Sequence, residues 1–286
     1  MVGASFSKVY PAHSSYSLHT AQQSLHDRFI KEAHALWRYR ACIPTLVANN
    51  LRRRYQRSVF GFLWSLLNPL LSMAIMTYVF SMFFHKLPNE FALYVFSGLL
   101  PWIFISTTIT NGCGAIVEAE AYLKKLNLPK MLFPAVLVST EAANFCFSLL
   151  ALVALAFLLG LKINAAVIAL PLALIPLIAF TFGIVLLLCV GTVYFRDIAH
   201  IVGVAFGGLF YLTPVVYPLE VLPEGVRKWF LLNPINYFLN LFRALISDGQ
   251  LPSWSDFSVS CVIAIIALVL GISTYLWRER DLIYRL

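Results

Sequence analysis

Six apolar runs, each about as long as a helix needs to cross roughly 30 Å of hydrocarbon, are strung along this chain of 286 residues. They lie at about 62–84, 91–112, 133–160, 166–194, 199–217 and 258–277. In a bilayer the backbone has no water to bond, so each run is expected to be a helix with its N–H and C=O groups paired internally. The fold class that follows is an all-α integral membrane protein with six transmembrane helices. Composition agrees: 60% of residues are hydrophobic and 12% charged, against roughly 25% charged in a soluble domain. Pro69, Pro101, Pro171, Pro176 and Pro214 fall inside the runs and are expected to kink or break helices there.

The net charge of +8 could suggest a nucleic-acid partner, but the basic residues flank apolar runs, as in a membrane protein with basic cytoplasmic loops. Lys31, Arg38, Arg40, Arg52, Arg53, Arg54 and Arg57 precede the first run, and Arg278, Arg280 and Arg285 follow the last. Both termini are thus placed inside, which requires an even number of spans. A seventh candidate at 229–247 contains Asn233-Pro234 and Arg243, and an arginine at the bilayer centre costs at least about 2.5 kcal/mol on insertion scales. Six spans satisfy parity and seven do not. Loops assigned inside carry Lys124, Lys125, Lys130 and Arg196, whereas the short outer loops carry only Lys86 and Lys162. Segment 218–257 reads as a re-entrant pair of short helices turning at Asn233-Pro234, because a plain loop would expose Trp229, Phe230, Tyr237 and Phe242 to water. The chain divides into a polar extension at 1–30 without an apolar leader, an interface helix and basic anchor at 31–58, and a six-span unit at 59–286.

Two segments are expected at the inner surface. In 34–48, Leu36, Tyr39, Ile43, Leu46 and Val47 recur at spacings of three and four, the mark of an amphipathic helix lying on the leaflet, with a break expected near Pro44. In 115–131, Glu118, Glu120, Lys124 and Lys125 suggest a short charged helix stopping before Pro129. The first segment anchors the topology and is expected also to dock a partner; the second is either a surface for a soluble partner or a solvated turn.

Catalytic signatures are missing. The sequence has no GxxxxGK[ST] phosphate loop, no GxSxG elbow and no HExxH helix. Its five cysteines form no CxxC pair and its histidines no metal spacing, so neither disulfide framework nor metal site is expected. Glu141 is the single acid well inside a span; it reads as a packing or gating contact rather than a proton carrier, since a relay needs several such groups. Asp197 beside His200 is a thin candidate for transferase chemistry. Clustered aromatics suit either lipid belts or the C–H faces of sugar rings, and Gly203 and Gly207 make a GxxxG spacing that permits close helix approach. A secondary transporter is the alternative class, one that would need internal repeats and several coupling charges.

Several runs taken in order give a more specific indication. LWRYRACIPTLVANNLRRRYQRSVFGFLWSLLNPLL at 36–71, FSGLLPWIFIS at 96–106, LKKLNLPKMLFP at 123–134, YFRDIAHIV at 194–202, LTPVVYPLEVLP at 212–223 and LLNPINYFLNLFR at 231–243 together resemble the permeases of bacterial polysaccharide ABC exporters, nearest to the Wzm-type O-antigen and teichoic-acid permeases. The resemblance implies a six-helix subunit of the bacterial inner membrane that homodimerises around a channel. Two copies of a separate ATPase would carry ATP and magnesium, no cofactor would bind this chain, and a lipid-linked polysaccharide would be moved outward. By the same analogy Trp37, Arg38, Arg40, Glu118, Glu120, Lys124 and Lys125 would meet the ATPase. Trp64, Tyr78, Phe206, Phe210, Tyr211 and Tyr217 would line the channel, and Asn233, Pro234, Tyr237 and Arg243 would belong to a periplasmic gate.

Overall fold

The structure is a computed structural model that describes residues 25–55, 63–85, 88–126, 128–158 and 164–285. The expectations for residues 1–24, Arg57, Lys86 and Lys162 lie outside these. The described chain is helical, with α1 (Leu25–Arg38), α2 (Cys42–Tyr55), α3 (Leu63–Phe84), α4 (Pro88–Gly112), α5 (Glu120–Lys125), α6 (Leu132–Leu158), α7 (Leu170–Tyr194), α8 (Ile198–Tyr211), α9 (Glu224–Leu231), α10 (Pro234–Ile246) and α11 (Trp254–Arg285). Short 3₁₀ turns at Ala165–Ala169 and Leu219–Val221 lead into α7 and α9. Among the described residues, five helical stretches are long and apolar enough to cross a membrane: Leu67–Phe84, Phe91–Gly112, Leu132–Ala154, Ala165–Tyr194 and Trp254–Leu282.

Three boundaries differ from the sequence expectation. The run at 199–217 forms only the 14-residue α8, about 21 Å at 1.5 Å per residue, because the chain unwinds before Pro214. The surface helix breaks at residues 39–41, not near Pro44; Pro44 sits in the first turn of α2, where a missing N–H costs no helical bond. Glu118 lies in the turn that precedes α5. The other prolines behave locally: Pro69, Pro101 and Pro176 sit within helices, and Pro171 occupies the first turn of α7.

Helix α4 is the central element and packs against α3, α6, α7, α8 and α10. The main core gathers around it, including Phe91, Val95, Leu99, Trp102 and Ile105 of α4, Phe145 of α6, Leu177 and Phe180 of α7, and Phe238, Leu239 and Phe242 of α10. The closest pair is α7 with α11, where a Cβ on Gly271 would run into the backbone of Gly183 and one on Gly183 into that of Ala267. Absence of side chains lets the two backbones touch and adds dispersion contacts along both helices.

A second, smaller cluster joins Ile116, Met131, Leu186, Val190, Tyr275, Leu276 and Leu282. Helix α1 docks there: Arg28 donates to the Leu276 carbonyl at 3.3 Å, and Glu32 is buried. Lys130 donates to the Glu279 carbonyl.

Candidate functional site

Three polar features interrupt the apolar bundle. The first is an open groove between α4 and α8 of about 530 Å³, lined by Trp102, Ser106, Thr107, Thr110, Asn111, Gly203, Phe206, Gly207, Phe210 and Tyr211. Its aromatic wall is built on Trp102, whose ring lies 5.9 Å from Phe206 and 5.7 Å from Phe210; Tyr211 stands edge-on to Phe210 at 5.4 Å. The opposite side offers hydroxyls and an amide. Gly207 and Gly208 have open space where a side chain would stand, and Gly203 would meet only Thr110 at 3.9 Å. Within the described chain the GxxxG spacing therefore leaves a groove floor open.

The second feature is the unwound segment after α8. Thr213, Pro214, Val215 and Val216 are buried although they are not helical. Buried backbone in a membrane protein must find partners, and here α10 and α4 supply them. Arg243 donates to the carbonyls of Pro214 and Val215, the latter at 3.0 Å, and its guanidinium lies 4.4 Å over the Tyr94 ring. Tyr94 donates to the Tyr217 carbonyl at 3.0 Å, and Tyr217 donates to the Tyr211 carbonyl at 2.6 Å. Asn233 donates to Thr213 Oγ1 at 2.8 Å while its own Oδ1 accepts from the Ile235 N–H at 3.0 Å, so it caps α10 with Pro234 at the first helical position. Gly98 is required at this junction: a Cβ there would stand 2.5 Å from the Val215 oxygen and 3.0 Å from Arg243.

The third feature is a cavity of about 400 Å³ between α3, α4, α6 and the end of α2. Glu141 reaches it from α6 and is nearly buried, its side chain 11% exposed. Its carboxylate accepts from Arg54 at 2.9 and 3.2 Å, from Asn144 at 3.2 Å and from Asn111 at 3.5 Å. A charge at this depth is retained because it is paired and hydrogen-bonded.

The residues expected to line one channel are divided among these places. Phe206, Phe210 and Tyr211 share the α4–α8 groove, Tyr217 belongs to the Arg243 junction, Trp64 lines the Glu141 cavity, and Tyr78 faces outward from α3. Of the expected gate residues, Asn233 and Arg243 meet through segment 212–217, Tyr237 is half-buried and Pro234 is exposed. Tyr94 and Trp102 belong to one of the aromatic clusters visible in the sequence, whereas Asn68, Asn111 and Asn144 carry no signal there, since a single Asn in an apolar run has no spacing partner. The basic anchor was recognised, but nothing in the sequence pairs Arg54 with an acid 87 positions away.

Toward the other end, Trp37, Arg38 and Arg40 are exposed, with Arg40 stacked on Trp37 at 4.5 Å. On α5, Lys124 pairs with Glu120 at 2.6 Å, which holds the Glu120 carboxyl below its ordinary range; Lys125 and Glu118 are exposed. Burial pushes the Glu32 carboxyl up to about 7, helped by the Glu279 carboxylate beside it, and burial lowers Lys130. Asp197 and His200 stand exposed at the start of α8. Among the described residues no group of acidic, histidine or cysteine side chains could hold a metal ion.

A bundle with five helices long and apolar enough to cross a membrane among the described residues defines an integral membrane protein. The chain matches the ABC-2 type transporter model over residues 42–246 and belongs to that family. It is similar to the O-antigen export system permease protein RfbA of Myxococcus xanthus, 30% identical over 88% of this chain and 98% of that protein. It is also similar to the RfbA permease of Klebsiella pneumoniae, 27% identical over 82% and 90% of the two chains. The polysialic acid transport protein KpsM of Escherichia coli matches at 23% over 84% and 95%.

Proposed function

We propose that this chain is the membrane-spanning subunit of an ATP-driven exporter, and that its cargo is a lipid-linked polysaccharide. The observation that carries the reading is the match to the Myxococcus O-antigen permease over 98% of that protein's length. The α4–α8 groove supports it, because aromatic faces beside Ser106, Thr107, Thr110 and Asn111 suit a ligand with alternating C–H faces and hydroxyls.

In this reading α8 and the unwound 212–217 segment together make a sixth crossing, both termini are cytoplasmic, and α9 and α10 form a re-entrant outer gate. Two copies assemble with their α8 faces toward a shared path in the bacterial inner membrane. The exposed Trp37, Arg38 and Arg40 and the α5 residues receive two ATPase subunits. ATP and magnesium bind those subunits, whose closure shifts the pore between states of different affinity. The residues between α4 and α8 hold successive sugars weakly enough to release them.

The test is reconstitution in vesicles with and without the ATPase. Glycan is expected to cross only with the ATPase and ATP, and the purified chain alone is expected to hydrolyse none. Hydrolysis by this chain alone, or transport driven by a proton gradient without nucleotide, would overturn the reading.

A further inference from the structure

We propose that the Arg54–Glu141 cavity is a second carbohydrate subsite, distinct from the α4–α8 groove, that takes one uncharged sugar ring; the proposal rests on the polysaccharide reading above. The chemistry of the lining carries it. Arg54, Asn68, Thr107, Glu141, Asn144 and Ser148 supply polar groups, while Trp64, Ile103, Phe104 and Phe145 supply apolar faces. A cavity at the level of the bundle that served only acyl chains would not need six polar side chains. The volume of about 400 Å³ lies near the small end of the roughly 300–1,000 Å³ typical of ligand sites, which suits a single ring rather than a run of them.

Charge selects among ligands. Arg54 and Glu141 are 2.9 Å apart, so among the described lining residues the charges are one cation and one anion, which offset each other. A phosphate on Arg54 would sit against the Glu141 carboxylate and displace it. A sugar hydroxyl can instead donate to the carboxylate and accept from the guanidinium while the pair stays closed. Asn144 Oδ1 is buried without a hydrogen-bond partner among the described residues, an acceptor that a further hydroxyl would satisfy. Trp64 lines the cavity and is 44% exposed, an aromatic side chain of the kind that packs on the C–H side of a sugar ring. Thr107 lines both this cavity and the groove, and Asn111 of the groove donates to Glu141 at 3.5 Å. A polar seam along α4 therefore connects the two, so a sugar bound at Trp64 is one step from the aromatic wall at Trp102.

The test places a photo-reactive benzoyl-phenylalanine at Asn68, or at Gly207 in the groove, in the full chain with its ATPase in cells making polysaccharide. After illumination the adducts are hydrolysed and assayed for sugar and for lipid phosphate. Sugar captured at both positions is expected, and Glu141→Gln should cut capture at Asn68 about tenfold, the size of losing one charged hydrogen-bond partner, with capture at Gly207 unchanged. Sugar at Gly207 with none at Asn68 overturns the subsite and leaves the polysaccharide reading standing. Phospholipid at Asn68 overturns it in favour of a lipid cavity. An equal fall at both positions assigns Glu141 a structural role and also overturns it. Sugar at neither position removes the polysaccharide reading and the subsite with it.

Discussion

Helices α8 and α10 are nearly the same length, 14 and 13 residues, and both are too short to cross a bilayer alone. Their environments are opposite. Helix α8 carries no Asp, Glu, Lys or Arg, yet none of its residues is buried within the chain, and Ile201, Val204 and Tyr211 are openly exposed. Helix α10 contains Arg243 and Asn236 and buries nine of its residues, these two among them. Apolarity did not decide which helix enters the core. Helix α10 enters because its two buried polar side chains both find carbonyls: Arg243 donates to those freed at Pro214 and Val215, and Asn236 to that of Phe230. Helix α8 remains outside with its glycines open, a surface whose counterpart is lipid, cargo or another subunit.

The contrast is most directly broken at Arg243. Arg243→Met keeps the volume but leaves two buried carbonyls without their donor, at about 1–3 kcal/mol each. A loss of about 3 kcal/mol, read as a lower thermal midpoint in detergent, is expected; a midpoint unchanged from wild type would mean that the unwound segment finds other partners. Arg243→Lys, with one fewer reach and no fork, should recover only part of the loss. Gly98→Ala attacks the same junction from α4. Its Cβ would press on the Val215 oxygen at 2.5 Å, and about 2 kcal/mol of overpacking is expected by the same assay.

Helix α1 lies between the two extremes, half docked through Glu32. Groups around this carboxyl include Glu279 and Lys130, which faces it from before α6, Lys31 on its own helix, and the Tyr275 hydroxyl of α11. Its pKa is raised from 4.5 to about 7, so the folded protein holds the proton more tightly than the unfolded chain does. The stabilisation is full below about 4.5 and declines as pH rises through 7. Hydrogen exchange of α1 amides should accordingly speed up between those values beyond the chemical rate, and Glu32→Gln should flatten the profile.

The smallest expected effect is on α8. Val204 is 79% exposed, so Val204→Ala should change the stability of the isolated subunit by no more than about 0.5 kcal/mol. A larger loss confined to the assembled transporter would show that a second copy covers this face. Phe210→Ala should likewise spare the fold and slow glycan export severalfold; undiminished export would remove the groove from the path.

Much of this was legible from residues in order. Period and length located the five long helices, and Asn233-Pro234 marked the break between α9 and α10, because a cap and a proline act within a turn. The end of the run at 199–217 was misjudged. Hydropathy continues smoothly through Thr213–Val216, and only a distant guanidinium makes unwinding there affordable. Arg243 argues in the sequence against a seventh span at 229–247, but which carbonyls its guanidinium meets is set by the packing of α10 on segment 212–217. Six aromatics assigned to one channel separate into groove, junction, cavity and outer face, since a list of aromatic residues carries no azimuth until helices are packed.

What the sequence determined alone is the helical class, the positions of the long apolar segments and the membership in the ABC-2 type transporter family, all properties of local composition and ordered motifs. What only the tertiary structure decided is where the polar groups converge. Arg54 meets Glu141, and Arg243 meets Pro214 and Val215, across separations that no periodicity encodes. In a low-dielectric bundle an ionised or unpaired polar group must find a specific partner, and which partner it finds depends on how the helices lie against one another.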